Sequence, residues 1–398
     1  MVNLVELKIL VQRRVELSVD KVVDFVSRVS GVHLVVFHCS IVDDGVLEGF
    51  VRELQGKLSV PFVGVRVSAS LTNSGFHEDS VVVGVFSGDF SVKVYHDKLD
   101  FDNPERTIEA VVSKLPEKGL CLAYAASFPT KGVYLDHILR DVNSRRPGLQ
   151  FSGIVSSVMP FVFSNDGVFR EDLVYCVMEK VGFDFMLASG LEFQKDGKEY
   201  AVTKASEYAI QGIDGMNAVS LYCGLKHVRP YFVNTVVGVS GGPDWHKMLR
   251  SLSVANETIY EVVVKGTMDL MGSLTAKGLV EVTFILNFDE SKSEWLTLAY
   301  RPVGVKLRWI ENKAENQLAL YAKINEKLGN SRFIFGHECV YRLLWMNFRI
   351  KDIEKKATDF KSPLMLSYGY GEIGAYLPYT DVNVNLLHGG IMQVLGFR

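Results

Sequence analysis

The chain has 398 residues, 48% hydrophobic and 22% charged, which is ordinary globular composition and enough for two or three domains. A net charge of −3 excludes the basic footprint of a nucleic-acid-binding protein, and no apolar run approaches the ~18 residues that span a bilayer. Five cysteines stand singly at 39, 121, 176, 223 and 339, so reduced thiols in a cytoplasm are expected and disulfides are not.

The first segment, "MVNLVELKILVQRRVEL", alternates like a strand, and Glu6, Lys8, Arg13 and Arg14 break it up too often for a signal peptide. Ser18 then caps a helical pattern, "VDKVVDFVSRVSG". "LVVFHCS" (34–40) is a short apolar run that ends in polar residues, as a buried strand entering a loop does. The helix after it puts Val46, Leu47, Phe50, Val51 and Leu54 on one stripe. "PFVGVRVSAS" (61–70) and "FHEDSVVVGVF" (76–86) supply two further strands.

The same order then returns. Asn103 and a first-turn Pro104 open a helix. "LCLAYAAS" (120–127) is the strand, and Tyr134, Leu135, Ile138, Leu139 and Val142 repeat the stripe spacing. "QFSGIVSSVM" (150–159) and "FREDLVYCVME" (169–179) follow. Residues 18–95 and 104–180 are therefore predicted to share one order of elements.

The middle, 211–310, holds strand patterns in "LVEVTFILNF", "WLTLAY" and "VGVKLRWI" and is a candidate for a degenerate fourth unit. "GVSGGPDW" (238–245) lacks both the Lys-Ser/Thr of a P-loop and the GxGxxG spacing, and reads as a loop. Trp245 and Tyr231 read as packing residues.

A third copy closes the sequence. "NQLALYAKINEKLG" (316–329) is its leading helix and "RFIFGHEC" (332–339) its strand. A less regular helix runs from Tyr341 to Phe360, with "IEKKATDFK" as a solvated face. "PLMLSYGYGEIG" (363–374) and "HGGIMQVLGF" (388–397) are the last strands, with His388 read as an exposed turn residue. Strand-helix-strand units imply parallel pairing by right-handed crossovers. The predicted fold is α/β with mixed α+β character, built of mixed sheets flanked by helices. Strand ends and glycine loops should share an edge, where ligand crevices of such sheets form.

These features resemble the FIST family of intracellular signal-transduction sensory domains. The resemblance rests on the duplicated unit, on "GIVSSVMPFVFSNDGVFRED", and on "YAVTKASEYAIQGIDGMNAVSLY" (200–222). It rests also on Cys339-x-x-Arg342, on "YGYGEIG" and on "NLLHGGIMQVLGF". It implies a FIST N-like domain over 1–228 with two related units and a FIST C-like domain over 229–398. It fills the sequence, so no separate output domain is expected. It implies a cytoplasmic small-ligand sensor, with amino acids as the ligand class and a signalling protein as partner.

The residues supply a mechanism for such a ligand. Arg342 carries a fork that holds a carboxylate bidentately. Glu372 lies among Gly369, Gly371 and Gly374, and its carboxylate accepts an ammonium. Together they suit a zwitterion. Cys339, His337, Tyr370 and Gly371 are the expected lining. Each key residue has a plainer alternative: a salt-bridging Arg342, a turn Glu372, a packed Cys339. A rival reading is an enzyme that uses Cys339 or His337 with Glu338 or Glu372, which needs a nucleophile, a base and an orienting group. His38 adjoins Cys39, but strand neighbours point to opposite faces. No complete set of metal ligands stands out, so neither metal nor cofactor is expected. A third reading is a protein-binding scaffold with a vestigial pocket.

Overall fold

A computed structural model describes residues 5–127, 132–156, 159–195, 197–226, 271–274, 280–283, 285–289, 291–297, 300–374, 387–388 and 390–398. Segment 238–245, with Trp245, and Tyr231 lie outside the described residues.

Three stretches share one element order. The first runs through strand Val5–Arg13, helix Val19–Ser27, strand Val32–Cys39, helix Asp44–Lys57, strand Phe62–Arg66, a hairpin of Ala69–Thr72 and Gly75–His77, and strand Ser80–Gly88. The second runs through Ser91–Lys98, helix Pro104–Lys114, Lys118–Ala125, helix Gly132–Arg145, Gly148–Val155, a hairpin of Val162–Ser164 and Gly167–Phe169, and Asp172–Glu179. The third runs through Phe183–Ala188, helix Ala314–Leu328, Phe333–Cys339, short helices Tyr341–Trp345 and Ile350–Thr358, Leu364–Gly369, the strands Glu372–Gly374 and Leu387–His388, and Met392–Phe397.

Local chemistry sets these elements. Ser18 caps its helix by accepting from Lys21 N at 3.4 Å. Asp43 does the same for Val46 N at 3.1 Å. Asn103 stands before Pro104 but makes no side-chain cap bond. Leu47, Phe50, Val51 and Leu54 of the predicted stripe are buried, as are Leu135, Ile138, Leu139 and Val142 of the second.

Each stretch builds most of one sheet. Its leading strand pairs antiparallel with its closing strand, which pairs antiparallel with the central strand. The central strand pairs parallel with the next, as the crossover predicts. The hairpins do something the sequence did not suggest. The first crosses to the third sheet, the second to the first sheet, and the third to the second sheet. The exchange closes a ring of three sheets.

The sheets face one another as a three-sided prism. Leu34, Val36, Leu120, Leu122, Phe333 and Phe335 meet in one central core. Helices cover the outer faces, as where Phe37 packs with Phe50 and Val51. Each fully buried side chain of this size stabilises by roughly 1.5–3 kcal/mol.

Between the leading strand of the third stretch and its helix lies a fourth sheet, made from strands between Leu191 and Asn312. Its described strands pair only antiparallel. Among the described residues this region shows no parallel crossover of the kind the three stretches share; the rest of the expected fourth unit lies outside the described residues. No helix among the described residues is long and apolar enough to cross a membrane.

Candidate functional site

The central strand Phe333–Cys339 alternates. Phe333 and Phe335 join the core inside the prism, whereas Ile334 packs with the helices outside. His337 continues the inner row and Glu338 the outer one. One turn on, Arg342 faces Glu338, and its Nε donates to Oε2 at 3.1 Å. Arg342 Nη2 donates to the Gln317 carbonyl at 3.2 Å. Tyr321 OH lies 3.0 Å from both Glu338 oxygens and 2.7 Å from Tyr368 OH. All of these side chains are fully buried. Burial pushes Glu338 above the usual carboxylate range despite Arg342 and Tyr321. For Arg342, burial works against the charge, but the Glu338 carboxylate raises the guanidinium's pKa overall. Arg342 Nη1 has no partner among the described residues.

Glu372 enters from the exchanged strand. It sits opposite Ile154, while Ile373 turns toward the helix layer, so Glu372 points into the prism. It is fully buried, and neither carboxylate oxygen has a well-formed hydrogen bond among the described residues. The backbone N–H groups of Ile391 and Glu372 approach it closely enough to favour its charged form a little, short of a well-formed bond. Desolvation pushes its pKa well above the usual range, and the Arg342 charge offsets only part of this.

Cys339 is buried at the end of the central strand, where its N–H donates to the Ile391 carbonyl at 3.1 Å. Burial raises the thiol well above its ordinary value, and the neighbouring Glu372 raises it further. Cys339, Arg342 and Glu372 thus lie within electrostatic reach of one another. All five cysteines are free and buried.

His337 sits inside the prism, its Nδ1 2.7 Å from Ser367 Oγ. Burial holds its imidazole neutral, and His38 adds to the effect. Tyr370 is buried, and its N–H donates to the Val155 carbonyl at 3.3 Å. Gly371 has φ of 146° and accepts from Val155 N at 2.9 Å. A Cβ on Gly369 would stand 2.5 Å from Ile154, and one on Gly374 1.9 Å from Gln393 Oε1. These glycines let the chain cross from one sheet to the next. His388 is corrected: it is buried rather than exposed, with Nε2 2.7 Å from the Gly374 carbonyl.

The near-threefold register compares the stretches position by position. His38 aligns with Tyr124 and His337, because their neighbours are Val65 and Val82, Ile154 and Val174, and Ser367 and Gln393. Ser70, Val162 and Glu372 align on the exchanged strands. The third stretch is polar at all four positions: His337, Ser367, Gln393 and Glu372. The second is apolar at three of them. A symmetric scaffold has been given its polar chemistry in one stretch. Sequence reading passed over Ser367, Gln393 and Tyr124; their signal is a polar residue on an otherwise apolar face of a period-2 strand.

The Cys339 thiol is kept protonated, and His337 bonds Ser367, so no activated cysteine–histidine pair forms. Among the described residues, no group of three or more His, Cys, Asp or Glu is placed to hold a metal.

Comparison with known proteins bears out the resemblance for part of the chain: the FIST N domain family model matches residues 33–216. FIST domains are assigned to sensory signal transduction. No curated protein matched the chain. The matched residues run from the central strand of the first stretch through the whole of the second and end before Cys339, Arg342 and Glu372.

Proposed function

We propose that this FIST-family protein, which carries a FIST N domain at residues 33–216, is a cytoplasmic sensor for a small ligand, an amino acid or small carboxylate. The ligand sits at the corner where the third stretch crosses between sheets, with Glu372, Cys339 and Arg342 as its contacts. The observation that carries this reading is Glu372 itself: a fully buried carboxylate with no well-formed hydrogen bond among the described residues. Such a group costs stability until a partner completes it, and a bound ammonium is such a partner. An arriving ammonium takes the carboxylate side, and Arg342 Nη1 is the atom left to meet a ligand carboxylate. His337, Tyr370 and Gly371 support the corner from behind. The bound state is passed to a signalling protein partner.

A thermal-shift screen against amino acids and small carboxylates tests the reading. A ligand at a hundred times its Kd should stabilise the fold by about 2.7 kcal/mol. If no compound raises the melting temperature at millimolar concentration, the ligand class is wrong and a protein-binding scaffold gains.

A further inference from the structure

We propose that the edge strand Val5–Arg13 is a docking surface for a second copy of this chain, whose own Val5–Arg13 pairs with it antiparallel about a two-fold axis at Leu7.

The strand lies at the edge of the first sheet and pairs only with Ser80–Gly88 among the described residues. Just beyond its end, Arg14 N–H donates to the Asp79 carbonyl at 2.9 Å, which fixes the alternation. Backbone groups of the even-numbered residues point toward Ser80–Gly88. Those of Val5, Leu7, Ile9, Val11 and Arg13 point away from the sheet, and none has a hydrogen bond among the described residues.

The equivalent edges of the other two stretches are closed. In the second, the outward carbonyls of His96 and Lys98 accept from Lys114 Nζ at 3.3 Å and Thr107 Oγ1 at 3.0 Å. In the third, the outward residues Phe185 and Leu187 are not free. A bare row of N–H and C=O groups is a template for another strand, and folded proteins shield it in such ways. Among the described residues the first stretch has no such shield. Its strand is also the longest of the three, nine residues against eight and six.

Charge selects the partner and the register. Val5 and Leu7 face the core, so Glu6 and Lys8 stand exposed on the other face. Glu6 has a stretched contact to the exposed Arg332 at 3.9 Å, and Lys8 has no ion pair among the described residues. A two-fold axis at Leu7 sets Glu6 of each copy opposite Lys8 of the other, in the closely spaced non-hydrogen-bonded pairs. Leu7 then bonds its own counterpart, and Val5 bonds the half-buried Ile9 across the axis. An axis one residue further on would set Lys8 against Lys8. Each copy uses its edge in the contact, so the assembly closes at two.

Sedimentation of the intact protein from about 1 to 100 µM reads the assembly. Expected is a dimer that Lys8→Glu weakens about tenfold, by setting carboxylates face to face. Adding Glu6→Lys restores it, because each opposed pair is rebuilt with its signs exchanged. Ile9→Pro removes an outward N–H, leaves the bonds to Ser80–Gly88 in place and abolishes the dimer. Amide exchange at Leu7 and Ile9 should slow as concentration rises, and this needs no variant. The proposal is overturned by a monomer throughout this range, by a dimer that Lys8→Glu and Ile9→Pro leave intact, or by a double variant no better than Lys8→Glu.

Discussion

Arg342 donates from Nε to a Glu338 oxygen 3.1 Å away, and both side chains are fully buried. Removing one partner leaves the other charge stranded in a low-dielectric interior. Arg342→Met should lose about 3–5 kcal/mol of stability. Adding Glu338→Gln should restore much of that, since no buried charge then lacks its partner. Urea unfolding of both single variants and the double variant checks it. Strictly additive losses would show that the pair is not coupled.

Two imidazoles held neutral give acid sensitivity with a defined sign. The folded pKa of His38 is lowered to about 3, and that of His337 lies well below 6.5. Their stabilisation is therefore fully present above the unfolded value near 6.5 and is lost as pH falls toward the folded values. Each such group adds a slope of about 1.4 kcal/mol per pH unit within that window. His38→Leu should flatten the curve by this amount between about pH 6 and 4.5. Unfolding free energies measured across that range decide it. An unchanged slope would mean that His38 protonates in the fold.

Gly371 sits where the chain turns between sheets with φ of 146°, a region costly for any residue with a Cβ. Gly371→Val should destabilise by about 1–3 kcal/mol and lower the melting temperature. Thermal unfolding measures this. Full stability in the valine variant would place that backbone in an ordinary conformation.

Much of the fold was legible because it depends on local periodicity. The helix stripes through Leu47 to Leu54 and Leu135 to Val142 and the apolar central strands were all visible in the sequence. The exchange of hairpins was not, because backbone pairing between distant stretches leaves no local pattern. For the same reason no local pattern shows that Gly369 and Gly374 make room for Ile154 and Gln393. Glu372 lies within electrostatic reach of Cys339 and Arg342, a closeness that only the chain's passage between sheets produces. The Glu338 partner of Arg342, four residues earlier, was in plain view as an i,i+4 pair but was considered only as a catalytic group. His388 escaped because burial of a turn-like histidine depends on which strand covers it.

The central claim is that Glu372 is kept for binding. Its folded pKa is raised, so the fold favours the protonated acid, and the stability this gives is lost as pH rises through the folded value. Glutamine mimics that neutral form. The direct measurement is calorimetric titration, at neutral pH, of the amino acid most stabilising in the screen into Glu372→Gln beside the unaltered protein, with melting curves of both. The account predicts affinity weakened roughly ten- to a hundredfold, with an equal or higher melting temperature. Undiminished affinity together with a lower melting temperature would contradict it, and would make Glu372 a structural residue.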